Sequence, residues 1–522
     1  NYQGMQTGWY AKEIKDRFNI ELNIVAPQVS GDAASLYQTR CASGDLGDII
    51  ILDNADMQDC VDVGLIADIS EDLPNYENLM KYEEQINLFN DAINEAIGKE
   101  GIYAIPAEMN SNGPTEYKED TVYTMPRLEW DHYVEVGAPE MKNLDDLLDT
   151  LKKIQDAYPT NEAGDKTYAL SLWPDWDNTS IENVNQLTKW YGQEVNGSIL
   201  LGTDNSITPL TDKDGAYYKM LKFLYKANQM GMVDPDSATQ DWNAACDKMR
   251  QGRVHLFWYN WQYGFWNSPD KGEARQNYRG IPLEDLNIYQ ASDTYYGDGR
   301  AWAVGSNVSD EDKARILEFM DWLCSPEGLT MQHIGQEGFV YTVNDDGTYT
   351  LTDVGMTRFA DDPQVPEELG GGSWTDGNNQ VNQWLVASIE MNPETGETFG
   401  SDYWASFLEK NNTATNKEWS EKFGSETEVS YLEENGMLNP VPSVNLVLPI
   451  DTTDIALIRS QCGDQIKATS WQAIFASDDA EFDKMWDEMC VTLEGLGWDQ
   501  LVEFDTDKYQ AVVDAREAAV AE

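Results

Sequence analysis

Four short apolar stretches, each reading as a β-strand, end in residues suited to gripping a polyhydroxylated ligand. Asp53 and Asn54 follow Asp48-Ile49-Ile50-Ile51-Leu52, and Glu108, Asn110 and Asn112 follow Gly101-Ile102-Tyr103-Ala104-Ile105-Pro106. Trp173, Trp176, Asp177 and Asn178 follow the stretch 168–172, and Trp258, Asn260, Trp261 and Trp266 follow the stretch 254–257. Indole faces stack on the apolar C–H faces of a pyranose. Carboxylates accept hydrogen bonds from its hydroxyls, carboxamides both donate and accept, and a guanidinium donates in a fork. Tyr296, Asp298 and Arg300, in a loop ahead of a fifth strand, add a stacking face, an acceptor and such a fork. Trp374 and Trp384 follow the break Gly370-Gly371-Gly372. Taken singly, any of these tryptophans could equally cover the edge between a sheet and its helices. Their recurrence at four strand ends favours a site, because open α/β sheets bind ligands beyond the carboxyl ends of their strands. Several tryptophans in series suit several sugar rings, and a peptide groove is the nearest competitor.

The elements that must position these residues alternate. The chain reads as helix at 10–18, strand at 20–25, helix at 33–42, strand at 48–52, helix at 82–96 and strand at 101–106. That alternation predicts a mostly parallel sheet, and the run Ile49-Ile50-Ile51-Leu52 reads as a strand buried on both faces. Leu144, Leu147, Leu148, Leu151 and Ile154 mark one helix face, with Asn143 as N-cap and Pro159 as stop. A helix over 216–230 ends at Gly231, Ser309 caps a helix over Ile316, Phe319, Met320 and Leu323, and 340–351 reads as a hairpin turning at Asn344-Asp345-Asp346-Gly347. Phe482, Met485, Trp486, Met489 and Leu493 face inward on a late helix.

Composition narrows the function. The 522 residues carry 35 basic and 93 acidic side chains, a net charge of −58. The chain is too acidic for nucleic-acid binding, which depends on neutralising phosphates, and the charge disfavours docking on an anionic leaflet. The same charge disfavours an acidic ligand. It suits a surface kept soluble outside the cell, and halophilic adaptation fits it too. Disorder is excluded by 41% hydrophobic residues with 18 Trp, 26 Tyr and 14 Phe. No P-loop, HExxH, GxSxG or GxGxxG pattern occurs. His132, His255 and His333 stand apart in sequence and read as structural. No metal ligands or cofactor are expected: Asn344–Gly347 is a turn, Asp234-Pro235-Asp236…Asp241 is a weak calcium loop, and 161–165 lacks ligands. With so many acids a carboxylate pair for glycoside hydrolysis is available by number alone, and none is singled out, so no catalytic residue is expected. Six cysteines without a CxxC pair read as mostly free thiols, with Cys41–Cys60 the first choice for any bridge.

Several segments, each weak alone, occur in a telling order: Cys41-Ala42-Ser43-Gly44-Asp45 before the triple-isoleucine strand, the 101–106 strand, Ala157-Tyr158-Pro159, Met249-Arg250-Gln251-Gly252-Arg253-Val254, Ser325-Pro326-Glu327-Gly328, Ile334-Gly335-Gln336-Glu337-Gly338, the 482–486 segment and Leu496-Gly497. In these the chain resembles the extracellular solute-binding proteins of ABC importers (family 1, oligosaccharide type, alginate-binding and lipoprotein subgroup). The resemblance implies an α/β, two-lobed periplasmic-binding-protein fold of type II, or Venus-flytrap, with hinge crossovers. Its lobes are expected at 1–127 plus 300–366 and at 128–299 plus 367–522, the last helices packing near the hinge. It implies capture of a neutral oligosaccharide in an aromatic-lined interlobe cleft by a monomer, without catalysis, and delivery to membrane permease subunits. The alternatives are a peptide- or lipid-binding relative and a glycoside hydrolase. A cell-surface lipoprotein or a periplasmic protein is implied, with signal peptide, lipid-anchor cysteine and first β-strand expected ahead of Asn1. Alginate-type relatives carry a calcium loop near the strand before Trp173, which 161–165 does not reproduce.

Overall fold

The computed structural model describes residues 3–25, 33–378, 380–381 and 384–521. The chain forms two compact units, each built from separate stretches. The first comprises Asn1–Glu116, Asp293–Lys410 and Ser443–Leu448; the second comprises Tyr117–Ser292, Asn411–Pro442 and Pro449–Glu522.

In the first unit a three-stranded sheet has Arg300–Val304 at its centre, flanked by Ile49–Asp53 and Ala104–Pro106. Both neighbours pair with it antiparallel, Asp53 opposite Arg300 and Pro106 opposite Ala301. This corrects the expectation of a mostly parallel sheet. The two outer strands do run in one direction, but a strand from some 200 residues later separates them, which no local pattern reveals. The triple-isoleucine strand is therefore an edge strand, and Ile51 is 36% exposed, not buried on both faces. Both outer strands end at the edge where Arg300 begins.

The core of this unit packs Trp9, Tyr10 and Ile14 of helix Trp9–Phe18 against Ile316, Phe319, Met320 and Leu323 of helix Asp310–Leu323, whose N-cap Ser309 accepts from the Asp312 N–H. Trp374 lies in that same core. Its carbonyl accepts from Trp9 Nε1 and its own Nε1 donates to Ile334 O, each at 3.2 Å. The segment Glu367–Lys410 thus belongs to the first unit, whereas the expected boundary assigned it to the second. The other expected joints, 127/128 and 299/300, fall at 116/117 and 292/293.

In the second unit Thr124–Glu129 pairs antiparallel with Tyr278–Gly280 on one side and Leu256–Tyr259 on the other. Helix Leu144–Ala157 buries the expected leucine face, and Asn143 caps it by accepting from the N–H groups of Asp145 and Asp146. The stretch expected as a strand at 168–172 contributes only bridges, Tyr168 to Val254 and Leu170 to Val233. A fully buried ion pair ties this unit together. Arg127 Nη2 meets Glu428 Oε2 at 3.0 Å, and Arg127 Nη1 donates to Trp258 O. Burial alone would raise the Glu428 carboxyl, but Arg127 and Arg279 draw it below the usual carboxylate range. Three helices, Thr453–Ile474, Asp479–Leu496 and Trp498–Ala521, close the chain, with Phe482, Trp486, Met489 and Leu493 buried as the periodicity requires.

The six cysteines are free thiols, so the bridge considered between Cys41 and Cys60 is not formed; Tyr37 Oη lies 3.2 Å from Cys60 Sγ. At the weak calcium loop the cation is a lysine. Lys248 Nζ reaches Asp234 Oδ2 at 2.6 Å, Gln240 Oε1 at 2.7 Å and Asp236 Oδ2 at 2.9 Å. Its ammonium supplies the positive charge that those acids need.

Candidate ligand-binding site

The sequence-selected residues fall into two clusters, one in each unit. The first-unit cluster sits at the sheet edge where both outer strands end. Asn54 N–H donates to Gly299 O at 2.9 Å, Asp298 N–H to Ala107 O at 3.0 Å and Ala107 N–H to Arg300 O at 2.9 Å. These backbone bonds hold Asp53, Asn54, Glu108, Asp298 and Arg300 along one edge. The loop approaches the strand so closely that only glycine fits at Gly297: its φ is +89°, and a Cβ there would meet Ala107 O at 2.8 Å. Glu108 itself adopts a left-handed backbone, φ 60°. Its N–H donates to Trp384 O at 2.7 Å, which brings Trp384 to the same edge. The Trp384 ring lies edge-on to His333 at 4.7 Å, and its Nε1 is buried without a hydrogen-bond partner. Tyr296 sits edge-on to Tyr295 at 5.1 Å. Arg300 donates through Nε to Asp298 Oδ2 at 3.0 Å, so the cation of this cluster is already paired.

Two first-unit candidates change role. Asn110 is buried, with Nδ2 donating to Thr294 Oγ1 and Oδ1 accepting from the Asn112 N–H. Both ends of its carboxamide are occupied in fixing the loop. Trp374 is 1% exposed, with Phe359 and Arg358 against its ring, and is a core residue. The glycine break before it sets up a packed turn against Trp9, with no aromatic face left open.

The second-unit cluster is aromatic. Trp173 and Trp258 stack with ring centres 5.5 Å apart and planes 9° apart, and neither is exposed. They cannot meet a ligand directly; they form a floor, and this corrects their assignment as stacking residues. Upon it lie half-buried rings. Trp242 is 4.7 Å from Trp173, 4.6 Å from Trp176 and 5.5 Å from Trp261, and Trp261 stacks on Tyr259 at 4.5 Å. Trp176 and Trp261 are 6.0 Å apart. Asp177 accepts from Trp471 Nε1 at 2.7 Å and from the Glu182 N–H at 2.9 Å. Desolvation pushes its carboxyl up to about 6 despite those bonds. Asn260 is partly committed, since its Oδ1 accepts from the Trp261 N–H at 2.9 Å and its Nδ2 reaches Thr121 Oγ1 at 3.4 Å. Trp266 stands apart. Its Nε1 donates to Gln276 O, Lys271 Nζ sits over its ring, and the ring covers Gly252.

Trp242, at the centre of the platform, was not among the sequence candidates. It opens the helix Trp242–Arg250 behind the N-cap Asp241, whose side chain accepts from the Ala244 N–H. A search confined to strand ends passes over it. The usable signal was an indole at the first position of a capped helix, where the chain turns sharply.

Comparison with known proteins decides the family. The family model for bacterial extracellular solute-binding proteins matches residues 9–354. The chain belongs to this family. Among solved structures, this solute-binding protein is similar to the alginate-binding protein AlgQ2 without calcium ion, at 15% identity and TM-score 0.59 over 96% of this chain and 94% of that one. It is similar to the Streptococcus pneumoniae ABC-transporter substrate-binding protein FusA, an EF-hand mutant with fructo-nystose, at 17% identity and TM-score 0.60 over 97% and 96%. An HMO-binding, ABC-transporter-associated solute-binding protein from Bifidobacterium longum infantis matches at 15% identity and TM-score 0.57 over 98% of each chain. These likenesses establish the two-lobed solute-binding fold. No curated protein sequence matches significantly. Among the described residues no helix is long and apolar enough to cross a membrane.

Proposed function

We propose that this solute-binding protein captures a neutral oligosaccharide outside the cytoplasm and delivers it to the permease of an ABC importer. The observation that carries the reading is the platform of Trp176, Trp242 and Trp261, half-exposed and held on a buried indole floor. Rigid aromatic faces of this kind give apolar contact area at low entropic cost. Hydrogen bonds to ring hydroxyls are assigned to Asp177 and Asn260 beside the platform, and to Asp53, Asn54, Glu108, Asp298 and Arg300 in the other unit, with Tyr296 and Trp384 as further stacking faces. A neutral ligand is favoured because Arg300 is neutralised by Asp298 and the surrounding candidates are acids. The names of the similar structures, among them an alginate-binding protein and a substrate-binding protein in complex with fructo-nystose, support a sugar as the ligand class.

The test is intrinsic tryptophan fluorescence against a panel of neutral oligosaccharides, uronate oligomers and peptides. A saturable change with a neutral glycan, without release of new reducing ends, supports capture. A response to peptides alone, or hydrolysis of the glycan, overturns it.

A further inference from the structure

The second unit holds a group of side chains that the sugar reading does not use. Glu129 ends the strand Thr124–Glu129, and Asp131 and His132 lie in the first turn of the helix Trp130–Glu135 that follows without a loop. The passage from strand to helix folds three consecutive ligand types onto one spot. One carboxylate oxygen each from Glu129 and Asp131 and one imidazole nitrogen of His132 lie within 4.8 Å of one another.

One buried atom in this group lacks the partner that burial demands. Glu129 is 5% exposed, and Lys271 is a cation that acts on its carboxylate through space. Glu129 points at His132 Nδ1, 3.2 Å away, and that nitrogen is buried without a hydrogen-bond partner. Buried polar groups are satisfied in the great majority of cases, and each exception needs a cause. A cation bound between Glu129 and His132 gives that nitrogen its partner. The imidazole is held in place for this: Tyr158 lies against it with ring centres 3.6 Å apart, and His255 meets it edge-on at 5.6 Å. Asp131 Oδ1 accepts from the His132 N–H at 2.8 Å, which orients that carboxylate.

We propose that Glu129, Asp131 and His132 form a divalent-metal site, with zinc or a neighbouring first-row ion as its occupant. One imidazole and two carboxylates suit such an ion better than calcium, which takes six to eight oxygens. Three protein ligands leave a fourth position for water. The site shares no residue with the aromatic platform, so it stands or falls independently of the sugar reading.

The test uses the full chain stripped with chelator and titrated with Zn2+ by calorimetry in the presence of excess Mg2+ and Ca2+, which saturate the acidic surface. One zinc per chain is expected, and His132→Ala and Glu129→Gln should each weaken binding tenfold or more, in line with the loss of one ligand. Cobalt supplies a readout that needs no variant: Co2+ added to the wild-type protein should give the intense visible bands of a four-coordinate nitrogen–oxygen site. No stoichiometric binding above the magnesium background, or zinc affinity unchanged in both variants, overturns the assignment. Weak six-coordinate cobalt bands overturn it as well.

Discussion

The two clusters differ in what holds them and in what they leave open. In the second unit, contacts between side chains build the cluster: a stacked indole pair at the bottom, further indoles on top, and the Arg127–Glu428 pair bracing Trp258 from behind through its carbonyl. In the first unit, backbone bonds between strand ends and a glycine-bearing loop build it, and its charged side chains partly satisfy one another. Under the proposed glycan-binding role, the contrast would separate tasks. A rigid aromatic surface contributes affinity through area and carries little directional information, whereas acids and an arginine fixed on backbone select among hydroxyl patterns. Substitutions in the two units should therefore fail in different ways.

The predictions that probe that difference run from the largest effect to the smallest. Trp258→Ala removes a fully buried indole and should destabilise the protein by about 3–5 kcal/mol, read as a fall in chemical-denaturation midpoint. Trp374→Ala should do the same in the first unit, with the remaining folded protein binding glycan normally. Trp242→Ala and Trp261→Ala should each weaken glycan binding about tenfold, roughly 1.4 kcal/mol, with a much smaller change in stability. Asp298→Asn releases the Arg300 guanidinium. Neutral-glycan affinity should fall a few-fold, in keeping with one hydrogen-bonding group at roughly 0.5–1.5 kcal/mol, while binding of a uronate oligomer measured by calorimetry should rise. The smallest effect concerns pH. Asp177 has a carboxyl near 6 when folded and 3.8 as its ordinary value. The folded state therefore holds that proton more tightly, so its contribution to stability is full below 3.8 and is lost as pH rises through about 6. Asp177→Asn should flatten that part of the stability profile relative to wild type. An unchanged profile would show that the carboxyl titrates normally and leave it without the desolvation described.

Much of the fold was legible locally. The leucine face of Leu144–Ala157 and its Asn143 cap, the helix behind Ser309 and the hairpin around Asn344–Gly347 each follow from spacing and capping, because those patterns act within a few residues. What local pattern could not reveal was long-range pairing. Nothing between residues 49 and 106 announces that Arg300–Val304 will lie between two strands that would otherwise be neighbours. The site was legible in type and blurred in detail for a related reason. An indole at a strand end can face outward or inward, and composition alone does not say which. Trp173 and Trp258 face inward, Trp176 and Trp261 are half-open, and Trp374 is consumed by the core that also holds Trp9. Trp242 was missed because its position depends on a helix cap. His132 read as a lone histidine because its partner Glu129 lies on the preceding strand, and only the strand-to-helix turn brings them together.

The most direct measurement is calorimetry of one responding neutral oligosaccharide against wild-type protein and the Trp242→Ala/Trp261→Ala double variant, both checked for the same denaturation midpoint. The platform account predicts one site in the wild type and a loss in the double variant greater than the tenfold of either single variant, the two indoles being in contact and so not independent. Wild-type affinity retained in a folded double variant would contradict it.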